Sequence, residues 1–277
     1  MGAQVNQIFY PGSFNELFAL WDRFPEAVLY AGGTGLLRRQ GNTILEMPQI
    51  ILCLDKLQEL HRITRTEHYL ETGSMIKLNN ILRIGKTVPE VLCNCLENIG
   101  GVQLRNIATI GGNICFATRL LDIPAPLIAL DAQYEFRNAG SSRWIAASRF
   151  HSVEEQILPK NRELLTRIRL PLQNWDYSMY KKFYCEDRYN NKALVFLAKA
   201  QKSILSDIRI IYKGDTIIRN KNGEGLLIGK HLPLNRRTSS DFTENWKEFL
   251  ADNAEMDDLS KNELINCIEM NINNLSE

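Results

Sequence analysis

The chain has 277 residues, 44% of them apolar and 23% charged, with a formal net charge of +1. That length can bury a sizeable core and favours two domains over one. Basic residues are scattered, and the doublets Arg38-Arg39, Lys181-Lys182 and Arg236-Arg237 are too short for a nucleic-acid footprint; no stretch reaches the roughly 18 apolar residues of a membrane span.

The first residues lack the basic flank and apolar run of a secretion signal, with Gln4, Asn6 and Gln7 interrupting them, so a cytosolic location is expected. After the Pro11-Gly12-Ser13 turn, Ser13 and Glu16 form a capping-box pattern that predicts a helix over 14–22. Residues 27–31 read as a short buried strand running into Ala31-Gly32-Gly33-Thr34-Gly35. Strands follow at 43–46 and 49–54, and 62–66 pairs with 69–72 as a hairpin. Pro89 opens a helix over 89–98 with one apolar face, which Gly100-Gly101 stops. The second glycine stretch, Thr109-Ile110-Gly111-Gly112-Asn113-Ile114, comes next. A packed helix is expected at 123–130, strands at 133–137 and 144–147, and a strand at 163–170 closed by Pro171. A boundary falls at 172–176. Beyond it, 193–200 and 208–212 read as sheet, the first with helical character as well. A turn at 213–215 leads to a strand at 216–219, and 242–250 and 259–275 are amphipathic helices. The mixture predicts an α+β architecture.

The two glycine stretches carry the functional signal. Glycine accepts positive φ and has no Cβ to hold a ligand away, and successive bare N–H groups form a concavity suited to an anion. Either pair alone reads equally as an ordinary turn; together they suggest a ligand with two ends, such as a dinucleotide. The P-loop pattern fails because no Lys follows at the required offset. The G-x-G-x-x-G fingerprint fails because Arg38 stands where the third glycine belongs. Cys53, Cys93, Cys95, Cys115, Cys185 and Cys267 include no C-x-x-C, and the four histidines show no ligand spacing, so buried free thiols and no metal are expected.

Taken together, these residues resemble the FAD-binding medium subunit of the molybdenum hydroxylases, the xanthine dehydrogenase and carbon monoxide dehydrogenase family. The likeness runs through Phe9-Tyr10-Pro11, Ala31-Gly32-Gly33-Thr34, Arg105-Asn106-x-Ala108-Thr109-Ile110-Gly111-Gly112-Asn113-Ile114, Asp122-x-Pro124, Leu127-x-Ala129-Leu130-Asp131-Ala132, Glu163-Leu164-Leu165 and Tyr180 to Phe183. It implies a two-subdomain FAD-binding domain of the vanillyl-alcohol-oxidase and carbon monoxide dehydrogenase flavoprotein type over 1–172, with subdomains of about 1–56 and 57–172. A smaller domain of sheet and helices over 177–277 follows. By matching positions, Leu29, Tyr30, Ala31, Gly32, Gly33, Thr34, Gly35 and Leu36 would surround the pyrophosphate and ribityl region. Thr109, Ile110, Gly111, Gly112 and Asn113 would form a second cradle. Asp122 would hydrogen-bond to the adenosine side or to a cradle residue, Leu165 would pack on the cofactor, and Lys182, or Lys181 if the match slips by one, would sit near it.

The family implies an electron-transfer subunit with no catalytic acid or base of its own. A molybdopterin large subunit and a 2Fe–2S small subunit would be its partners, and NAD⁺ or another acceptor would receive the electrons. This chain departs from the family pattern in three places. Gly35 stands where Asp or another polar residue is common. The usual small-residue and proline stretch is Phe116-Ala117-Thr118-Arg119-Leu120-Leu121, and no cysteine-bearing insertion is present for an extra cluster. A scaffold with a degraded flavin site, or a stand-alone flavin oxidoreductase on the related fold, are the competing readings.

Overall fold

The computed structural model describes residues 7–36, 47–116, 121–152, 162–183, 192–252 and 256–275. Met1–Leu172 and Gln173–Glu277 form two compact units. The first unit contains β1 (Gln7–Phe9), β2 (Val28–Tyr30), β3 (Ile50–Cys53), β4 (Ile63–Arg65), β5 (Tyr69–Gly73), β6 (Gln133–Arg137), β7 (Ser142–Ala146) and β8 (Leu164–Pro171). The first three form a parallel sheet in the order β1-β3-β2, and the rest an antiparallel sheet in the order β4-β5-β8-β6-β7. The strand expected at 43–46 lies outside the described residues.

The helix Phe14–Arg23 forms for the reason its sequence suggests, with one amendment. The Ser13 hydroxyl accepts the Glu16 N–H, but the Glu16 carboxylate reaches the N–H of Gly12 rather than of Ser13. The reciprocal cap is therefore displaced by one residue and still satisfies an otherwise unpaired donor. Phe14, Leu17 and Phe18 on its apolar face pack with Leu52, Leu57, Leu60 and Met75.

The five-stranded sheet has two unlike faces, as the period of two requires. Leu70, Thr72, Tyr134, Phe136, Ile168 and Leu170 are buried on one. On the other, Arg167 grips Glu135 through two bonds of 2.7 and 2.5 Å, Arg169 binds Glu71 at 2.6 Å, and the Arg169 guanidinium lies 4.1 Å from the Trp144 ring centroid.

Tyr134 and His151 show what burial does to a titratable pair. The Tyr134 hydroxyl and His151 Nε2 lie 3.2 Å apart, and the imidazole packs edge-on against the rings of Tyr134 and Phe150. Burial pushes the imidazole from 6.5 down to about 3, so it stays neutral in the folded protein at pH 5. The unfolded chain then binds a proton that the native state refuses, and stability falls as pH drops below 6.5. Between pH 7 and pH 5, His151→Phe is expected to lose about 2 kcal/mol less stability than the wild type, as read by urea unfolding at the two pH values.

In the second unit, β9 (Tyr177–Phe183), β10 (Lys192–Gln201), β11 (Ile204–Lys213) and β12 (Ile217–Ile218) form an antiparallel sheet in the order β12-β11-β10-β9. The run at 193–200 is strand, not helix: it sits between two partners, and Ala193 to Ala198 are buried on both faces. Helices Arg236–Ala251 and Asp258–Asn274 supply Phe242, Trp246, Leu264 and Ile268 to the same core as Phe196 and Ile210. Asn235 and Asp257 cap them by accepting the N–H groups of Thr238 and Ser260.

Candidate functional site

Strand β2 is short, and its last residue is tied down by the Leu54 N–H, which donates to the Tyr30 carbonyl at 3.0 Å. The chain then breaks away through Gly32 and Gly33 and becomes helical at 34. A Cβ on Gly32 would lie 2.2 Å from the Ile107 carbonyl oxygen, so that glycine is demanded by protein backbone. Gly33 has φ of 71°, the left-handed region that glycine enters without penalty. Outside helices and strands, no backbone hydrogen bond runs from the N–H groups of Gly32 and Gly33 to another described residue, and residues 34–36 are the first turn of a helix, whose N–H groups have no intrahelical partner. These donors emerge at the carboxyl end of a parallel strand, the usual ligand position in open sheets.

The second stretch differs from the bare turn expected of it. Residues Ile110–Ile114 form one helical turn, with Thr109 as the cap that accepts the Gly112 N–H at 3.0 Å. The Ile110 N–H donates to Ile76, that of Gly111 to Ser74, and that of Asn113 to Thr109. All these donors are committed within the protein, so the stretch contributes shape, not a second set of free N–H groups. Gly111 is glycine because Ser74 presses on it, at 2.6 Å from an added Cβ. Gly112 is exposed, and a Cβ there would meet only the Thr109 hydroxyl, at 2.9 Å.

Ser74 joins the parts. Its N–H donates to the Thr166 carbonyl on β8, while its own carbonyl accepts from Gly111. Leu165, next to Thr166, is thereby brought to the same cavity as both glycine stretches. That cavity measures about 500 Å³, within the usual range for small-molecule sites.

Of the expected residues, Leu29 through Leu36, Thr109, Gly111, Gly112 and Leu165 line it. Ile110 and Asp122 are buried outside the lining, and Asn113 Oδ1 is enclosed without a hydrogen-bond partner among the described residues. Lys182 lies on β9 in the second unit. Its neighbour Lys181 lies 5.5 Å from the Phe183 ring centroid and acts electrostatically on Cys267, which puts Lys182 on the opposite face of that strand.

Ser74, Met75, Cys115 and Arg162 also line the cavity and were not singled out from the sequence. The Gly73-Ser74 pair was the available signal for the first two. Arg162 carried none: it is a non-glycine residue at φ of 55°, and it pairs with Asp22. Neighbouring Glu163 is held by two bonds from Arg143, at 2.7 and 2.6 Å. A larger cavity of about 560 Å³ opens on the charged face of the five-stranded sheet, but neither glycine stretch reaches it.

Residues 4–173 match the family model described as the FAD binding domain in molybdopterin dehydrogenase. The chain is 30% identical over 209 residues to the glyceraldehyde dehydrogenase medium chain of Sulfolobus acidocaldarius, covering 73% of each protein. It is 28% identical over 247 residues to xanthine dehydrogenase 2 of Arabidopsis thaliana, covering 80% of this chain but 18% of that much longer protein. In three dimensions it superposes on a chain of quinoline 2-oxidoreductase from Pseudomonas putida 86 with a TM-score of 0.80 and 20% identity, over 100% of this chain and 98% of the other. No helix among the described residues is long and apolar enough to cross a membrane.

Proposed function

The chain belongs to the family of FAD-binding domains of molybdopterin dehydrogenases, and from that premise we propose that it is the flavin-bearing electron-transfer subunit of a molybdenum hydroxylase. The observation that carries this reading is the convergence of both glycine stretches and Leu165 on one cavity inside the matched region.

The residues present fit the cofactor. The N–H groups of Gly32 and Gly33, with those of the helical first turn at 34–36, suit a pyrophosphate, and the bare Cα of Gly112 leaves room where a side chain would intrude. Leu29, Leu54, Met75 and Leu165 supply an apolar wall for the rest of the molecule. FAD, when bound, supplies the exchange of electrons; the protein orients it and excludes water. In this reading Thr34 and the first glycine turn hold the phosphate end, the capped turn at Thr109 shapes the opposite wall, and Leu165 packs against the cofactor.

Hydroxylation is assigned to a molybdopterin subunit and electron relay to a 2Fe–2S subunit, with NAD⁺ or another acceptor taking the electrons onward. The Sulfolobus relative, matched over most of its length, is likewise named a medium chain. The protein purified alone is expected to be yellow, with FAD bound one to one, and to hydroxylate neither purines nor aldehydes. A colourless protein that fails to take up added FAD would defeat the reading. For the acceptor, the photoreduced protein is mixed with NAD⁺ and the return of flavin absorbance is followed.

A further inference from the structure

Two of the departures from the family pattern are glycine at 35 and the segment that begins with Phe116. In the structure they are one feature. A Cβ built on Gly35 would lie 2.8 Å from Cε2 and 2.9 Å from Cδ2 of Phe116, the atoms it would meet among the described residues outside its own helix. The ring occupies the space that a side chain at 35 would need, and both residues line the flavin cavity.

Resting on the flavin reading above, we propose that Phe116 is a wall of that cavity, seated against the bare Cα of Gly35, and that it sets the affinity and orientation of the bound flavin. The polar contact that a side chain at 35 could provide is thereby exchanged for an aromatic surface. The placement of Phe116 follows from the backbone. Cys115 donates its N–H to Gly111 at 2.9 Å, ending the short helix, so the next residue projects from a fixed point. What stands against position 35 is its ring, a side chain. A methyl group at 35 would therefore displace a ring, not a backbone segment, and the open space beside that ring is the cavity itself. Gly32 and Gly111 are unlike it, since at each the obstruction includes backbone.

This arrangement makes position 35 conditional on position 116. Gly35→Ala should push the ring into the volume that FAD needs and leave the fold intact. Once the ring is removed, the same methyl group has nothing to displace. Neighbouring substitutions that share one contact are non-additive in this way.

The test is a double-mutant cycle on the full chain, comprising wild type, Gly35→Ala, Phe116→Ala and both together. FAD is titrated into the cofactor-free proteins, thermal midpoints are recorded without FAD, and visible circular dichroism is recorded with it. Gly35→Ala is expected to raise Kd at least tenfold with an unchanged midpoint. Phe116→Ala is expected to raise Kd about threefold to tenfold and to alter the visible dichroism of the flavin. The double variant should match Phe116→Ala within twofold. An equal penalty for Gly35→Ala in both backgrounds would overturn the proposal, as would a Phe116→Ala protein with wild-type affinity and dichroism. A wild-type chain that takes up no FAD would instead bring down the flavin reading itself, which is distinguishable from either result.

Discussion

Gly32→Ala is expected to lower the thermal midpoint of the protein by about 5–10 °C and to abolish retention of FAD through gel filtration. The added Cβ would lie 2.2 Å from the carbonyl oxygen of Ile107, 2.9 Å from its carbon and 3.3 Å from the Cα of Ala108. None of these atoms belongs to a side chain that can swing away. The N–H groups of Ile107 and Ala108 both donate to Leu104, and the Ala108 carbonyl accepts from Leu78, so the segment cannot retreat without breaking hydrogen bonds. Overpacking of this kind costs about 1–3 kcal/mol, sometimes more. For a domain of this size each kcal/mol moves the midpoint by roughly 2–4 °C. The flavin loss follows because the same segment leads directly into Thr109 and the capped turn. Calorimetry and flavin absorbance after chromatography check the two effects, and an unchanged midpoint would mean that the two stretches do not brace each other.

Gly33 makes an instructive contrast. Its φ of 71° disfavours any Cβ by roughly 1–2 kcal/mol, but the atom a Cβ would meet is the hydroxyl end of Tyr30, which can move. The adjacent glycines thus exist for different reasons, one steric against backbone and one conformational. Neither reason is visible in a run of glycine letters.

The same limit explains what the sequence conveyed and what it withheld. Elements with a local signature were legible: the Ser13 cap, the Pro89 helix start and the hairpin at 62–72 each depend on residues close in the chain. The helix Leu78–Arg83 was missed because it is short and has no side-chain cap, and its first N–H is satisfied by Ala108, far along the chain. Strand β9 was missed because its residues are mostly half-buried, without the clean alternation of a strand that covers a core on one face. At the site, both glycine stretches and Leu165 could be named from the sequence. The bond from Ser74 that joins them, the commitment of the Ile110 and Gly111 donors to Ile76 and Ser74, and the seat that Gly35 makes for Phe116 all depend on tertiary contacts. The second Gly-Gly pair looked like a bare cradle because a helix of one turn is too short to show a period.

Gly112→Glu isolates the cavity's electrostatics from its packing. The position is exposed, its added Cβ would meet only the Thr109 hydroxyl, and a carboxylate in the first turn of a helix is favourable. Folding stability should therefore change by less than about 1 kcal/mol, the range of an exposed substitution with a nearby cap. FAD affinity should not survive so well. A carboxylate about 5 Å from a phosphate charge repels it by roughly 3 kcal/mol at an effective dielectric of 20. With solvent screening at this exposed rim, a loss of about 100-fold, or ~2.7 kcal/mol, is the expected outcome. Gly112→Gln carries nearly the same bulk without the charge, so the ratio of the two dissociation constants reports the charge alone. That ratio should shrink as salt rises past about 0.1 M, where the screening length is near 10 Å. Equal affinities for the Glu and Gln variants at low salt would mean that the pyrophosphate, held by the first glycine turn, does not also lie beside the capped turn.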